Sequence, residues 1–437
     1  MLRPVSLLAS GSGFLLASVW LLLPTAHAES RWPQWRGPLD SGVAEPGKVA
    51  YPDRVDDTTL LWKITLPGKG CSTPVVWDGR IYLTGPQEGK DAASAYDWSG
   101  KHLWTTTFGQ ETVGKHRNGS GSNPSPVTDG KRLFVYFKSG GLAALDLDGK
   151  VLWQTNLQER FGKVSLYWDL GNSPVLTRRN VVVAVMHGGA SYLVAFDQAT
   201  GGQVWKTERQ YQTPVENDHG YTTPQVISRD GREILVTWGA EHLTGHDAAD
   251  GKLLWECAGF NPDGKKNWVA VASAVISGDL AVVPYGRGSH LAGIRLTGGA
   301  GDVTTTHRVW TREGGAFVPT PAVRDGRVYL VGDRGAVECF EAATGQTLWK
   351  GEFPRSSASY YSSPTVAGDL LYAVREDGVL QVGRFSETGF APISENPLGE
   401  RIIATPVTVD GHLLLRGESH LFMAKAGGPG AGVAVLP

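Results

Sequence analysis

Short apolar runs broken by polar turns set the rhythm of this chain, and residues 318–350 show one cycle clearly. An apolar run from Val318 to Val323 is followed by the turn Arg324-Asp325-Gly326, a run from Arg327 to Val331, and a third from Ala336 to Phe340. The turn Ala343-Thr344-Gly345 then leads into a fourth run, Gln346 to Lys350, which contains Trp349. Four β-rich runs separated by Asp-Gly and Thr-Gly steps predict an up-and-down antiparallel sheet, because glycine supplies the positive φ that tight hairpins need. We label these strands A to D. The cycle occurs eight times, starting at Thr73-Pro74, Ser125-Pro126, Ser173-Pro174, Thr223-Pro224, Ser273-Ala274, Thr320-Pro321, Ser363-Pro364 and Thr405-Pro406. Successive starts lie 52, 48, 50, 50, 47, 43 and 42 residues apart. That period suits four-stranded propeller blades and exceeds that of most helical solenoids. The expected fold is therefore all-β: an eight-bladed β-propeller of four-stranded antiparallel blades over residues 60–425.

Tryptophans mark strand D at Trp62, Trp104, Trp153, Trp205, Trp255, Trp310 and Trp349. Each is expected to wedge between adjoining blades, where its apolar area holds one sheet against the next. The seventh copy lacks this tryptophan, and a degenerate strand is expected near Phe385 to Phe390. Trp62 precedes the first copy, whereas the last copy ends at His420 to Lys425 without a strand D. Leu60 to Leu66 should then complete the final blade, closing the ring and removing an exposed sheet edge.

Composition refines this picture. With 57 Gly and 25 Pro in 437 residues the chain is turn-rich, and a formal charge of -2 without basic blocks argues against nucleic acid as a partner. Residues 1–28 carry Arg3, an apolar stretch through Leu23 and an Ala26-His27-Ala28 exit, the layout of a secretory signal cleaved after Ala28. The mature protein is expected in the periplasm or outside the cell, with no retained membrane anchor. Residues 29–59 are expected to form an irregular arm and residues 426–437 a flexible tail. Cys71, Cys257 and Cys339 are too few and too scattered for a disulfide framework.

The segment from Ala195 to Trp205, which reads Ala-Phe-Asp-Gln-Ala-Thr-Gly-Gly-Gln-Val-Trp, resembles the docking motif of pyrroloquinoline-quinone-like β-propeller repeats. The opening Trp32-Pro33-Gln34-Trp35-Arg36-Gly37-Pro38 is similar to the start of exported bacterial proteins of that group. The resemblance implies the propeller fold over residues 60–425. Its members include quinoprotein alcohol dehydrogenases and the propeller lipoprotein of outer-membrane β-barrel assembly, so fold alone does not choose a function. The dehydrogenases commonly carry adjacent cysteines beside the quinone, with calcium ligands and a catalytic Asp. This chain has no adjacent cysteines and no segment matching those ligands. It also lacks the acylated Cys of the assembly lipoprotein.

Propeller connectivity puts the short A-B and C-D turns on one face and the long B-C and D-A connections on the other. Loops held on a rigid ring are where binding residues concentrate. The D-A connections supply His116, Arg117, Trp168, Asp169, Asp218, His219 and Tyr221, followed by Asn267, Trp268, Tyr360 and Tyr361. The B-C connections add Glu241, His242 and Arg287. The functional reading is a polar and aromatic funnel in which flat rings offer apolar surface and arginines meet anionic groups. The structural alternative is that the aromatics wedge blades and the charges are merely solvated. Asp218-His219 and Glu241-His242 each put a carboxylate beside an imidazole, but acid-base chemistry needs proximity in space to a substrate proton. No spacing points to a metal or a catalytic role. The expected function is an exported binding or scaffolding propeller that uses its long-loop face for a ligand or an envelope protein, without a cofactor. A dehydrogenase using pyrroloquinoline quinone with calcium is the alternative, and a carbohydrate-active or carbohydrate-binding propeller the third.

Overall fold

The computed structural model describes residue 1, residues 31–45, residue 47, residues 49–427 and residues 434–436. The expected signal segment and most of the tail lie outside the described residues. Eight antiparallel sheets follow one another around a ring, seven of them with their four blade strands in chain order from the centre outward. Blade 3 is representative: Val175–Leu176, Asn180–Val185, Tyr192–Asp197 and Gln203–Glu208 pair in succession. The one helix among the described residues is Leu157–Phe161, capped by the Asn156 side chain. The final blade takes Val407–Val409, His412–Arg416 and His420–Lys425 from the end of the chain and Leu60–Thr65 from its beginning. In that closing pair Trp62 lies opposite Met423 and Thr65 opposite His420. Of the tail, Ala434–Leu436 run parallel to the same early strand.

The core is distributed between blades. Phe134, Val183 and Val194, all with no exposed surface, belong to one cluster between blades 2 and 3, and comparable clusters recur around the ring. The repeat motif works across these boundaries. Trp153 of blade 2 donates its indole N–H to Gln198 O of blade 3 at 3.0 Å, inside the Asp-Gln-Ala-Thr-Gly turn. A Cβ placed on Gly201, which has φ 70°, would lie 2.6 Å from the Trp153 ring. This glycine thus serves the turn and leaves room for the neighbouring indole. Trp62, Trp104, Trp205 and Trp310 donate in the same way to Trp98 O, Leu147 O, Ala248 O and Ala342 O.

At the centre, the Ser/Thr residues that open strand A form a belt. The N–H of Thr73 donates to Ser125 Oγ at 2.9 Å, Ser125 to Ser173 at 2.9 Å, and Ser173 to Thr223 at 3.0 Å. The chain of bonds continues through Ser273, Thr320 and Ser363, and Thr405 N–H donates to Thr73 Oγ1. A following proline holds its predecessor extended, which fits this repeated geometry. At Thr405, where the circle would close, Oγ1 accepts the Trp35 indole N–H at 3.1 Å.

Trp35 belongs to an arm that enters the channel. Arg31–Trp32 pairs antiparallel with strand A of blade 1. Pro33 O accepts Thr128 N–H, Ser41 O accepts Val323 N–H, and Val43 bridges Val366, so the arm touches blades 1, 2, 6 and 7 in turn. Arg36 is 1% exposed and donates to Pro321 O at 2.9 Å. The arm then leaves the channel to serve the boundary without a tryptophan. Strand D of blade 7 is Phe390–Pro397, beginning where the expected Phe385 to Phe390 stretch ends. Here Asn396 Oδ1 accepts Val55 N–H at 2.8 Å, Tyr372 donates to Pro52 O at 2.7 Å, and Tyr51 packs against the cluster between blades 7 and 8.

Candidate functional site

The plug fills the half of the channel beside the short turns and leaves the other half as a blind pocket. This cavity, of about 330 Å³, opens on the long-loop face, and every D-A connection contributes to it. Cys71, His116, Trp168, Tyr221, Val271, Phe317, Tyr361 and Ile403 come from the eight connections in order, Arg287 adds a B-C connection, and Trp35 and the hydroxyl belt lie at the bottom.

Rings dominate its wall. His116 meets Trp168 edge-on at 5.1 Å and stacks on Tyr361 at 6.2 Å. Tyr167 backs Trp168 at 4.7 Å, and both rings are exposed, at 59% and 43%. The Trp168 N–H donates to Tyr221 Oη at 3.1 Å, and burial raises that phenol's pKa well above its ordinary value. The Arg287 guanidinium lies 4.4 Å from the centre of the Phe317 ring and donates to Asn267 O at 3.0 Å. Cation–π contact of this kind leaves much of the charge able to meet an anionic group at the rim.

Six sequence candidates therefore line one pocket: His116, Trp168, Asp169, Tyr221, Arg287 and Tyr361. Asp169 is already committed there. It is 6% exposed, accepts N–H groups from Lys115 and His116, and pairs with Lys138 Nζ at 2.6 Å. Its work is to hold the 115–119 connection against blade 3. Tyr360 differs from its neighbour: at 1% exposure it packs with Phe353 and Val43 between blades and offers no surface at the mouth. Arg117 points outward, 66% exposed, to pair with Glu376 at 3.0 Å.

The remaining candidates sit farther round the rim and serve local structure. Glu241 accepts from Asn217 and Asn261, both at 2.6 Å, while His242 stacks on Tyr211 at 3.7 Å. The two side chains part company, so no acid-base dyad forms. Burial lowers the His242 pKa and keeps the ring neutral. The Asp218 carboxylate lies 3.8 Å from His219 Nε2, and His219 Nδ1 accepts Tyr167 N–H. Trp268 carries Lys265 at 4.9 Å over its ring, and its N–H donates to Asn217 Oδ1.

Sequence reasoning missed Trp35, Phe317 and the network around Glu376. Burial opposes the Glu376 charge, yet Asn118, Ser359, Arg117 and Arg401 together hold its pKa below the usual carboxylate range. Asn118 Nδ2 donates to Glu376 at 2.7 Å across 258 residues of sequence, a pairing that no local spacing signals.

The pocket suits a quinone with calcium poorly. Its one carboxylate, Asp169, is saturated by a lysine and two backbone N–H groups, and Cys71 stands alone. Calcium asks for six or more oxygen ligands, several of them charged. We derive no redox step through such a group.

The fold defines a pyrroloquinoline-quinone-like repeat propeller. The family model described as outer membrane protein assembly factor BamB matches residues 50–223 and 180–381, and the chain belongs to that family. Among relatives, the outer membrane protein assembly factor BamB of Shewanella oneidensis is 24% identical over 362 residues, covering 79% of this chain and 82% of that protein. That of Yersinia pestis is 24% identical over 327 residues, covering 72% and 75%. Among solved structures, BamB from Moraxella catarrhalis superposes with TM-score 0.62 at 15% identity, over 84% of this chain and 99% of that one. The quinohemoprotein alcohol dehydrogenase of Comamonas testosteroni reaches TM-score 0.68 at 14% identity, over 93% and 81%. At such identities these two likenesses concern the fold alone. Among the described residues no helix is long and apolar enough to cross a membrane.

Proposed function

We propose that this chain is an exported envelope protein, a non-catalytic member of the outer-membrane assembly group, whose long-loop face holds a segment of a partner protein. The carrying observation is the asymmetry of the channel: its own arm fills one end, while the other is a blind pocket with exposed Tyr167 and Trp168 at the rim and Arg287 beside it. A pocket of this size takes one or two apolar or aromatic side chains, and its rim offers ring faces together with a cation. Large exposed aromatics next to a concave surface are typical anchors of protein interfaces. The named role of the relatives supports an envelope protein as the occupant.

The test is site-specific photocrosslinking in an envelope fraction. A crosslinker at position 361, in the pocket, should capture outer-membrane β-barrel polypeptides or their assembly partners. One at position 348, exposed on the outer edge of blade 6, should not. Equal capture at both positions would remove the mouth from consideration. The dehydrogenase alternative is checked separately: stoichiometric binding of pyrroloquinoline quinone with calcium, together with alcohol-dependent dye reduction, would establish it instead.

A further inference from the structure

A second cavity, of about 540 Å³, lies between blades 1 and 2 toward the outer rim and shares no lining residue with the mouth. It is bordered by the end of strand D in blade 1, at Phe108 to Gln110, and by strands C and D of blade 2. Asp91 sits at its edge in an irregular stretch of strand C. Lys90 pairs with Gln110 and Ala92 with Thr107, so the register shifts around the aspartate. The residue is 1% exposed. Its Oδ2 accepts the Ser139 hydroxyl at 2.5 Å from the next blade, whereas its buried Oδ1 has no protein partner. Leaving a buried carboxylate oxygen unmatched is costly, and a cation or an ordered polar group beside it removes that cost.

The surroundings specify which cation. None of the lining residues is basic, and the nearby Lys138 is engaged by Asp169 and Val113 O. Glu159 is exposed where the cavity meets solvent, and Phe108 and Phe137 form an aromatic wall with ring centres 5.5 Å apart. Burial and the charge of Glu111, opposed by the Ser139 hydroxyl, push the Asp91 carboxyl up to about 7, so at neutral pH it stands between its two forms and an arriving positive charge would draw it to the ionised one. Hard metal ions want a shell of oxygens, which two carboxylates among phenyl rings supply poorly. An ammonium or guanidinium group on an aliphatic stem gains from both features, through a charge-assisted hydrogen bond and through ring faces.

We propose that the cleft between blades 1 and 2 binds an organic cation, whose ammonium or guanidinium head pairs with Asp91 and whose stem lies along Phe108 and Phe137. The group is either a free aliphatic amino-guanidine or the side chain of a basic residue in a peptide. Calorimetric titration of the mature protein at neutral pH with agmatine and with N-acetylargininamide separates the two. Tighter binding of agmatine indicates the free amine, and equal or tighter binding of the amide indicates a peptide side chain. In either case Asp91→Asn should weaken binding by about tenfold or more, the scale of one hydrogen bond to a charged group. Phe108→Ala, at a half-buried position, should weaken it severalfold, and Trp168→Ala at the mouth should leave it unchanged. Absence of saturable binding to both probes would overturn the proposal. So would unchanged affinity in folded Asp91→Asn or, should that variant not fold, in Phe108→Ala.

Discussion

The two ends of the channel are built from the same kinds of residue and use them in opposite ways. At the plugged end Trp32 has no exposed surface, and backbone groups of the arm bond to the inner strands of several blades. At the open end Trp168 keeps 43% of its surface and is held mainly through its own backbone N–H and ring contacts. An aromatic side chain surrounded by satisfied backbone acts as mortar. One fixed at its base but bare at its face is ready for contact. The difference teaches that position along the channel, more than residue type, separates structure from site in this ring.

The sharpest way to break this contrast is to empty the plugged end. Trp32→Ala removes a fully buried indole from the cluster that also holds Trp62 and Val76. It should cost about 3–5 kcal/mol in denaturant unfolding, the range for large aromatics in cores. A loss below about 1 kcal/mol would mean that the arm does not seal the channel in solution. The blade joints between the two ends come next. Gly201→Ala would press a methyl group against Trp153 at a residue with φ 70°, and should cost about 2–3 kcal/mol from overpacking and left-handed strain together. Asp197, whose carboxylate accepts the Ala199 and Thr200 N–H groups, would keep the turn in place, so unfolding should remain a single transition.

The joints were legible in sequence because each repeats at a fixed offset. Trp205 and the glycine that makes room for its predecessor lie within one motif, and the motif recurs blade after blade. The Ser/Thr-Pro steps were visible for the same reason, although their role as a belt of hydrogen bonds was not. The plug was illegible. Arg36 reaches Pro321 across 285 residues and Trp35 reaches Thr405 across 370, and the backbone acceptors used by much of the arm carry no sequence signature. At the mouth, periodicity placed the connections on one face but could not set the phase of an irregular strand start. Tyr360 and Tyr361 are adjacent, yet one is sealed between blades and the other lines the pocket. Asp169 had the right face and the wrong duty, since Lys138 and two N–H groups from the neighbouring connection occupy it.

A pH titration probes the inside of a blade, away from both ends. His246 in blade 4 is 2% exposed, and burial, assisted by the Arg209 charge, lowers its pKa to about 3. The folded state thus holds the ring neutral, while the unfolded chain takes up a proton near the ordinary value of 6.5. Its contribution to stability is complete above that value and is lost as pH falls from there toward about 3. Two pH units below the unfolded value, wild type should have lost about 3 kcal/mol through this group, while His246→Leu should not show that part of the decline. Parallel acid profiles for the two proteins would show that His246 is protonated or solvated in the fold.

The smallest expected change in stability belongs to the open end, and it bears most directly on function. Trp168→Ala removes an indole that is 43% exposed, touches His116 and Tyr167 by ring edges, and donates to Tyr221 through a backbone N–H that alanine retains. Just over half of the ring is covered, so unfolding should shift by about 2 kcal/mol, below the loss from Trp32→Ala. The same variant should weaken partner capture at the mouth by about tenfold or more, the usual effect of removing an aromatic anchor. A double variant with Tyr361→Ala, on the opposite side of His116, should weaken capture further and still unfold in a single transition, because both rings border the cavity rather than a blade joint. If Trp168→Ala instead cost as much stability as Trp32→Ala, its ring would be mortar like the other, and the two ends of the channel would differ only in shape.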